Sequence, residues 1–256
     1  MSLFLKFTLI FIMLTAAGIS AKGFSDFINE GDSYYKKFDN VTALAKYEEA
    51  YSLDESNYEV LFRLARTYND AGEEFYELRK MDEAEKYINK AMKYSEIFKN
   101  KYPDSAAVYT YMGMSYGNIA LFKGGNEKVK LAKKIEENIK KAIKLDPTNH
   151  VNYTILGIYN RELASLNWFE RAFANTFFGS VPEGSYEQSI KYFKQALKID
   201  PDMIVATFQL SKTYRKMDDE KKEIELLKKV VSMRMRDFRD KFAKQKSKKR
   251  LEELES

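Results

Sequence analysis

Four cationic side chains lie one or four positions after a small residue that recurs along the chain: Arg66, Arg161, Lys212 and Arg215. A guanidinium group binds a carboxylate through two parallel N–H donors, and an ammonium group adds a compact positive charge. On one surface, these four groups would bind a peptide carboxylate or an acidic segment of a partner protein. The alternative is a set of solvated cations that pair with neighbouring acids such as Glu59.

The equivalent positions elsewhere in the pattern carry polar, apolar and aromatic side chains. These residues are Phe62, Asn69, Thr110, Met114, Asn118, Thr154, Ile158 and Phe208. Phe and Met provide apolar contact area, while Asn and Thr offer hydrogen bonds. The sequence therefore predicts a partner-binding groove, in which the cations orient an extended or helical protein segment.

A second candidate site is an aromatic stripe, with Phe169, Phe173 and Phe177 at helical spacing and Trp168 beside them. The stripe would form an aromatic-lined pocket for a small or lipidic molecule, or a lid over the groove. The alternative is an extra helix that packs its aromatic residues into the core. This spacing favours the core helix.

The segment 234–250 holds nine Lys and Arg residues against two Asp, whereas the charges of residues 22–233 balance. Met235, Phe238 and Phe242 recur at helical spacing, so residues 234–256 are predicted to form a basic C-terminal helix or tail. Such a helix would contact an anionic membrane surface weakly, and it has no pattern for specific nucleic-acid binding. A solvated helix that caps the preceding helices is the simpler interpretation, and the one favoured here.

Catalytic chemistry has little support in the sequence. The chain has no cysteine, and its single histidine, His150, shares no nucleophile motif with a serine and an acid. Gly124-Gly125 lacks the Lys and the Ser or Thr of a phosphate-binding loop. Asp and Glu mix with Lys at i+3 and i+4 spacing, which is typical of solvated helix faces. We therefore expect a protein that is not an enzyme, with no catalytic residues, no metal site and no cofactor.

A recurring motif defines the helices that would position these groups. A small residue with bulky apolar neighbours at helical spacing occurs at Gly31, Ala65, Gly113, Gly157 and Ser211. The matching small residues of a second helix are Ala50, Ala91, Ala142 and Ala196. Pro147 and Pro201 follow that second helix and end it. The pattern is that of the tetratricopeptide repeat, so the sequence predicts an all-α superhelix, a solenoid of about five helix pairs over residues 22–233.

The repeats are irregular in length. Pro103 and Pro147 are 44 residues apart, and Pro147 and Pro201 are 54 apart, against a usual repeat of about 34 residues. The extra residues predict lengthened helices and an insertion at 166–184. Because residues 73–101 contain no Gly or Pro, the sequence predicts one long helix there.

Residues 1–21 have the organisation of a secretory signal peptide. Lys6 precedes an apolar core at 7–14, and the tripeptide 19–21 offers a cleavage site before Lys22. The sequence predicts an exported protein that is periplasmic or associated with the envelope. Without cysteine, the protein is not expected to be a lipoprotein. Retention of the N-terminal segment as an anchor is the alternative.

The insertion also carries a resemblance to a known family. Its motifs are Trp168-Phe169-Glu170-Arg171, Phe178-Gly179 and Pro182-Glu183-Gly184. Together with residues 61–66 and the Lys-rich stretch 128–147, these motifs resemble the repeat domain of the regulator of microtubule dynamics family, over about residues 40–232. The resemblance implies a helical, non-catalytic adaptor, which in eukaryotes is associated with microtubules and organelle membranes. The export signal and the basic helix depart from that pattern, so the resemblance is taken to imply the fold and a binding role, and not the microtubule.

Two functional hypotheses follow. The first is a non-catalytic scaffold for protein–protein interactions, which binds a peptide or protein segment in the concave groove of the solenoid. The second is a ligand-binding accessory protein of an envelope transport system, which uses the aromatic-lined pocket. An open groove would favour the first hypothesis, and an enclosed apolar pocket would favour the second.

Overall fold

The computed structural model describes residues 22–178 and 180–255, without the side chains at positions 125, 126, 168, 169, 173, 177 and 178. Within these residues the chain forms α-helices and turns, and no strand is present. The twelve helices are α1 (Phe24–Tyr35), α2 (Asn40–Leu53), α3 (Tyr58–Glu77), α4 (Met81–Lys101), α5 (Ala106–Ala120), α6 (Gly125–Leu145), α7 (His150–Ala164), α8 (Trp168–Phe178), α9 (Tyr186–Ile199), α10 (Ile204–Lys216), α11 (Glu220–Ser232) and α12 (Phe238–Glu255). The predicted all-α fold is confirmed. The predicted signal peptide, residues 1–21, lies outside the described residues.

Ten of the helices pack as five pairs. The pairs are α1–α2, α3–α4, α5–α6, α7–α9 and α10–α11. The first helices of successive pairs, α3, α5, α7 and α10, also contact one another, so they line the inner face of a solenoid. We call this inner face the concave groove. α8 is inserted within the fourth pair, and α12 follows the fifth.

The small residues of the motif are the points of closest contact within each pair, as predicted. A Cβ atom on Gly31 would lie 2.3 Å from the ring of Tyr47, and one on Gly157 would lie 2.6 Å from the ring of Phe193. These distances are too short for any residue larger than glycine without a shift of the facing ring or of the helix that carries it. Ala65 and Ser211, which hold the same position in other pairs, are buried.

The prediction of one long helix over residues 73–101 is wrong. α3 ends at Glu77 and α4 begins at Met81, with Arg79 in the left-handed region at φ 62°. Lys80 donates its N–H to the carbonyl of Phe75, which closes the helix with a Schellman-type turn. The sequence signal failed because glycine usually occupies this left-handed position, and here arginine does.

Irregular repeats with lengthened helices are confirmed. α4 and α6 each have 21 residues, whereas α2 has 14 and α11 has 13. The segment between α7 and α9 holds α8, which packs against α6 through residues that include Ala174. Among the described residues, each helix is too short or too polar to cross a lipid bilayer.

Candidate functional site

The basic C-terminal segment forms α12, and α12 lies in the concave groove. It packs against α11 and α10 of the last pair and also reaches α3 of the second pair. Because α3 and α10 both line the inner face, α12 spans the groove between them. The helix that the sequence analysis treats as a solvated cap therefore also fills part of the predicted binding surface.

Arg239 is the main polar anchor of α12 on α3. Its Nη2 donates to Asp70 Oδ1, and its Nε donates to Glu73 Oε2 at 2.7 Å. Asp70 also accepts a hydrogen bond from the Tyr35 hydroxyl at 2.8 Å, and its side chain is only 2% exposed. Burial opposes the charge of Arg239, yet Asp70, Glu73 and Asp237 outweigh it and raise the pKa of Arg239. The guanidinium group thus neutralises an acidic site inside the groove.

Two further cations extend this anchoring along α12. Lys246 Nζ donates to Glu77 at the end of α3, at 2.6 Å. Arg250 Nε donates to Glu223 of α11 at 2.9 Å. Arg239, Lys246 and Arg250 are spaced i, i+7 and i+11, so they lie within about 40° of one another on one face of the helix. One face of α12 therefore pairs with acids of α3 and of α11.

The apolar seat of α12 is small. Ala243 packs with Ile204 of α10 and Val230 of α11, and Phe238 is buried at the start of the helix. Ser247, one turn after Ala243, is also buried. Small side chains at these two positions allow a close approach of α12 to the wall of the groove.

Arg66, predicted to face a partner, is stacked between aromatic rings. Its guanidinium carbon lies 3.7 Å from the ring centroid of Tyr35 and 5.5 Å from that of Phe62. Its Nε and Nη2 atoms are buried and have no hydrogen-bond partner among the described residues. Cation–π attraction between the guanidinium group and the two rings accounts for this placement. The rings take the place of the water that the buried guanidinium group has lost. Phe62 in turn packs edge-to-face on Tyr111, with the ring centroids 5.5 Å apart.

Arg161 and Lys212 lie in the C-terminal half of the groove. Arg161 donates to the carbonyl of Gln209 at 2.9 Å and pairs with Glu162, and its side chain is 3% exposed. Loss of surrounding water lowers the pKa of Lys212 to about 8, and the positive charge of Arg161 adds to this effect. Lys212 still reaches solvent, as does Arg215, which lies 3.9 Å from Glu223.

The polar side chains that the sequence places in the groove form hydrogen bonds mainly with neighbouring first helices. Asn69 Nδ2 donates to Ser115 at 3.0 Å, and Asn118 Nδ2 donates to Asn69 at 3.0 Å. Thr110 donates to Asn152 at 2.8 Å. These bonds join α3 to α5 and α5 to α7.

The remaining positions of the row are mostly part of the packing. Thr154 donates to the carbonyl of His150 at 3.1 Å within α7. Ile158 and Phe208 are half-buried against the apolar clusters of the last two pairs, and Met114 is half-buried on α5. The groove floor is therefore built largely from side chains that already have partners.

The predicted aromatic pocket falls on side chains that lie outside the described residues: Trp168, Phe169, Phe173 and Phe177. A cleft of about 460 Å³ opens at the base of the insertion and is lined by Arg171, Glu183 and Tyr186 among others. Arg171 bridges its two sides, because it donates to the carbonyls of Leu163 and Pro182. The described lining of this cleft is mixed, since the apolar side chains of Ala164 and Leu166 also contribute to it.

The acids of the groove are the site residues that sequence reasoning missed. Asp70, Glu73 and Glu77 recur at i, i+3 and i+7 on α3, so they form one acidic row. The matching i and i+7 cations, Arg239 and Lys246, were visible in the sequence as well. The two rows share the i, i+7 spacing, but that spacing alone does not indicate that these two rows meet.

The described residues contain no group of three or more acidic or histidine side chains arranged to hold a metal ion. His150 Nδ1 lies 3.1 Å from Met203 Sδ, and its Nε2 lies 3.6 Å from Asp200. Asp200 is in turn paired with Arg236, just before α12. His150 therefore contacts the last pair of helices at the point where α12 begins.

Five helix pairs in tight glycine and alanine contact, with a groove lined by the first helices, define an α-solenoid of the tetratricopeptide type. A solved tetratricopeptide protein of Thermus thermophilus, TTC0263, superposes with a TM-score of 0.62 at 15% identity, over 88% of this chain and 98% of that one. Yeast Tom70 matches with a TM-score of 0.50 at 14% identity, over 91% of this chain and 41% of Tom70. At these identities the likeness concerns the fold.

The chain belongs to the regulator of microtubule dynamics family, because the family described as "Regulator of microtubule dynamics protein 1-3" matches residues 27–255. The matched range includes α12. Regulator of microtubule dynamics protein 1 of Mus musculus is 29% identical over 64% of this chain and 53% of its own length. The Bos taurus protein is 27% identical over 77% of this chain and 59% of its own. The chain thus spans about half to three fifths of the length of these relatives, and the predicted resemblance is confirmed.

Proposed function

We propose that this protein is a non-catalytic scaffold for protein–protein interactions, and that it binds a helical segment of a partner protein along the concave groove. The observation that best supports the proposal is that the groove holds a helix, α12, between α3 and α10. A helix with its side chains is about 10 Å across, so the groove already accommodates an object of that size. Membership of the family is consistent with such an adaptor role.

The proposal is based on the structure of the concave groove, and the names of the related proteins do not contribute to it. Their names state a role in microtubule dynamics, and tubulin is not part of what we propose here. Residues 1–21 favour export, and we propose that the protein acts in the periplasm or at the envelope. A weak contact with anionic lipid is part of this proposal, because Lys241, Lys248 and Lys249 are exposed on α12 and form no ion pair within the described residues.

We expect the protein purified from its native cells to begin at Lys22. The charged start, the apolar core and the small side chains of Ser20 and Ala21 before Lys22 form the pattern of a cleaved signal peptide. Intact-mass measurement of the native protein checks this expectation. A mass that includes Met1 would contradict it and would leave the segment as an anchor.

The scaffold proposal predicts that partner proteins crosslink from the groove. Gly117 of α5 is four positions after Gly113, as Arg161 is after Gly157, and a Cβ there meets no atom within 4 Å, so a photo-reactive amino acid at this position would reach into the groove. We expect it to crosslink, in intact cells, to a helical segment of another protein, identified by mass spectrometry of the joined peptides. The matched control places the same group at Lys86, which is exposed on α4, a second helix of a pair.

Comparison of the crosslinks from the two positions distinguishes specific binding in the groove from nonspecific binding over the whole surface. Crosslinks from position 117 that are absent from position 86 support the scaffold proposal. Equal yields from both positions, or crosslinks from position 117 only to residues of the same chain, would reject it.

A further inference from the structure

The residues of α12 that contact the solenoid follow a pattern of charge and size, and a partner helix would share that pattern. Its three groove-facing cations, Arg239, Lys246 and Arg250, meet acids of α3 and α11. Its close approach uses two small side chains, Ala243 and Ser247, at i+4 and i+8 from Arg239. All five positions lie on one side of the helix, within about 80° of Arg239.

We infer that the groove recognises basic amphipathic helices with cations at i, i+7 and i+11 and small residues at i+4 and i+8, and that α12 holds the place of such a partner helix. The inference rests on the proposed function and names the chemistry of its partner. It reverses the charge that the sequence analysis assigned to that partner. An acidic segment would bring its carboxylates against Asp70, Glu73 and Glu77.

Two of the four cations first assigned to the groove have their contacts within the solenoid, whereas a basic helix meets Lys212 at a cost, because loss of water and the charges of Arg161 and Lys246 lower the pKa of Lys212. Arg66 lies against the rings of Tyr35 and Phe62, and Arg161 is bonded to Gln209 and Glu162. Each therefore already has its contacts within the solenoid. The acids of α3, in contrast, receive their cations from α12.

The surface on which α12 packs is suited to the exchange of α12 for another helix. Only two of its buried residues, Phe238 and Ala243, are apolar, whereas α4 buries Ile88, Tyr94 and Phe98. Apolar burial is the main source of helix-packing free energy, so α12 is held to an unusual degree by ion pairs. A second helix that offers the same ion pairs can replace it at a small net cost.

The test uses the full chain and a fluorescent peptide with the sequence of residues 236–255. The full chain carries Lys246→Gln, which weakens its own α12 at an exposed position without disturbing the core. Fluorescence anisotropy then measures the dissociation constant of the peptide for this variant and for the parent chain. We expect about two- to fivefold tighter binding to the variant, because its internal competitor has lost one exposed ion pair.

Two peptide variants of equal charge identify the recognised face. Arg239→Gln with Lys246→Gln removes two groove-facing cations, and Lys241→Gln with Lys248→Gln removes two cations of the same i, i+7 spacing from the exposed face. We expect the first pair to weaken binding by about tenfold or more, since Arg239 meets a desolvated carboxylate, and the second pair to leave it within about twofold. Equal losses would mean attraction by charge alone and would overturn the inference, as would a full absence of binding by the unchanged peptide.

The outcomes separate this inference from the proposed function. Crosslinks from position 117 together with equal losses in the two peptides would keep the scaffold and reject the basic-helix pattern. A dimer of the full chain, seen by light scattering and dissolved by the peptide, would assign the groove to a second copy and overturn the inference in favour of exchange of α12. Tight, face-specific binding by a monomer supports it.

Discussion

Replacing Arg239 with glutamine should lower the free energy of unfolding by about 3–5 kcal/mol, the usual cost of leaving a buried charge without its partner. The change strands Asp70, whose side chain is 2% exposed and, among the described residues, keeps the Tyr35 hydroxyl as its one hydrogen-bond donor. It also removes the 2.7 Å bond to Glu73. Urea unfolding of the full chain, followed by circular dichroism, measures the loss.

Two companion variants show that the loss comes from the stranded acid. Asp70→Asn in the Arg239→Gln background removes the uncompensated charge, and we expect it to restore at least half of the lost stability. Lys241→Gln, two residues away on the exposed face, should change stability by less than about 0.5 kcal/mol. A loss below about 1 kcal/mol for Arg239→Gln would mean that α12 contributes little to the fold.

The pairing of helices could be predicted from the sequence, because it is encoded locally. A glycine at 31 or 157 marks the point at which a facing aromatic ring, that of Tyr47 or Phe193, needs the space of a side chain. The facing residue lies in the next helix of the same pair, so short-range spacing is enough to find the contact. The same signal gave the five pairs.

The placement of α12 could not be predicted in that way. Arg239 meets Asp70 across a sequence separation of 169 residues, and no repeat pattern relates the two. From the sequence alone, the cations of 234–250 are expected to face solvent or lipid, because few acids lie within the same segment. In the folded chain, Arg236, Arg239, Lys246 and Arg250 are paired with acids of other segments.

The groove cations illustrate the same limit. Arg66 is placed on the inner face as its position in the motif predicts, but Tyr35 of the preceding pair covers it. The angle between two successive pairs decides which aromatic residue of one pair overlies the next pair. The motif does not determine that angle. The turn at Arg79 was missed for a different reason, since a left-handed arginine leaves no glycine to mark it.

Two glycines on α5 allow the packing of the solenoid to be tested with a matched control. We expect Gly113→Ala to lower the free energy of unfolding by about 1–3 kcal/mol, although alanine favours helices over glycine. The new Cβ would lie 2.4 Å from Ile139 Cδ1 and 2.7 Å from its Cγ1, inside a buried contact between α5 and α6. Gly117→Ala, one turn further on, meets nothing within 4 Å and should stabilise the protein by about 0.5–1 kcal/mol.

The opposite signs of the two changes would establish that position 113 is a site of contact between helices. Ile139→Ala removes both atoms that crowd the new methyl group, so in that background Gly113→Ala should behave like Gly117→Ala. A double-mutant cycle from urea unfolding measures the coupling, which we expect to exceed about 1 kcal/mol. If Gly113→Ala stabilised the chain as much as Gly117→Ala does, α5 and α6 could not be packed as closely as the repeat requires, and the geometry of the groove built on α5 would have to be revised.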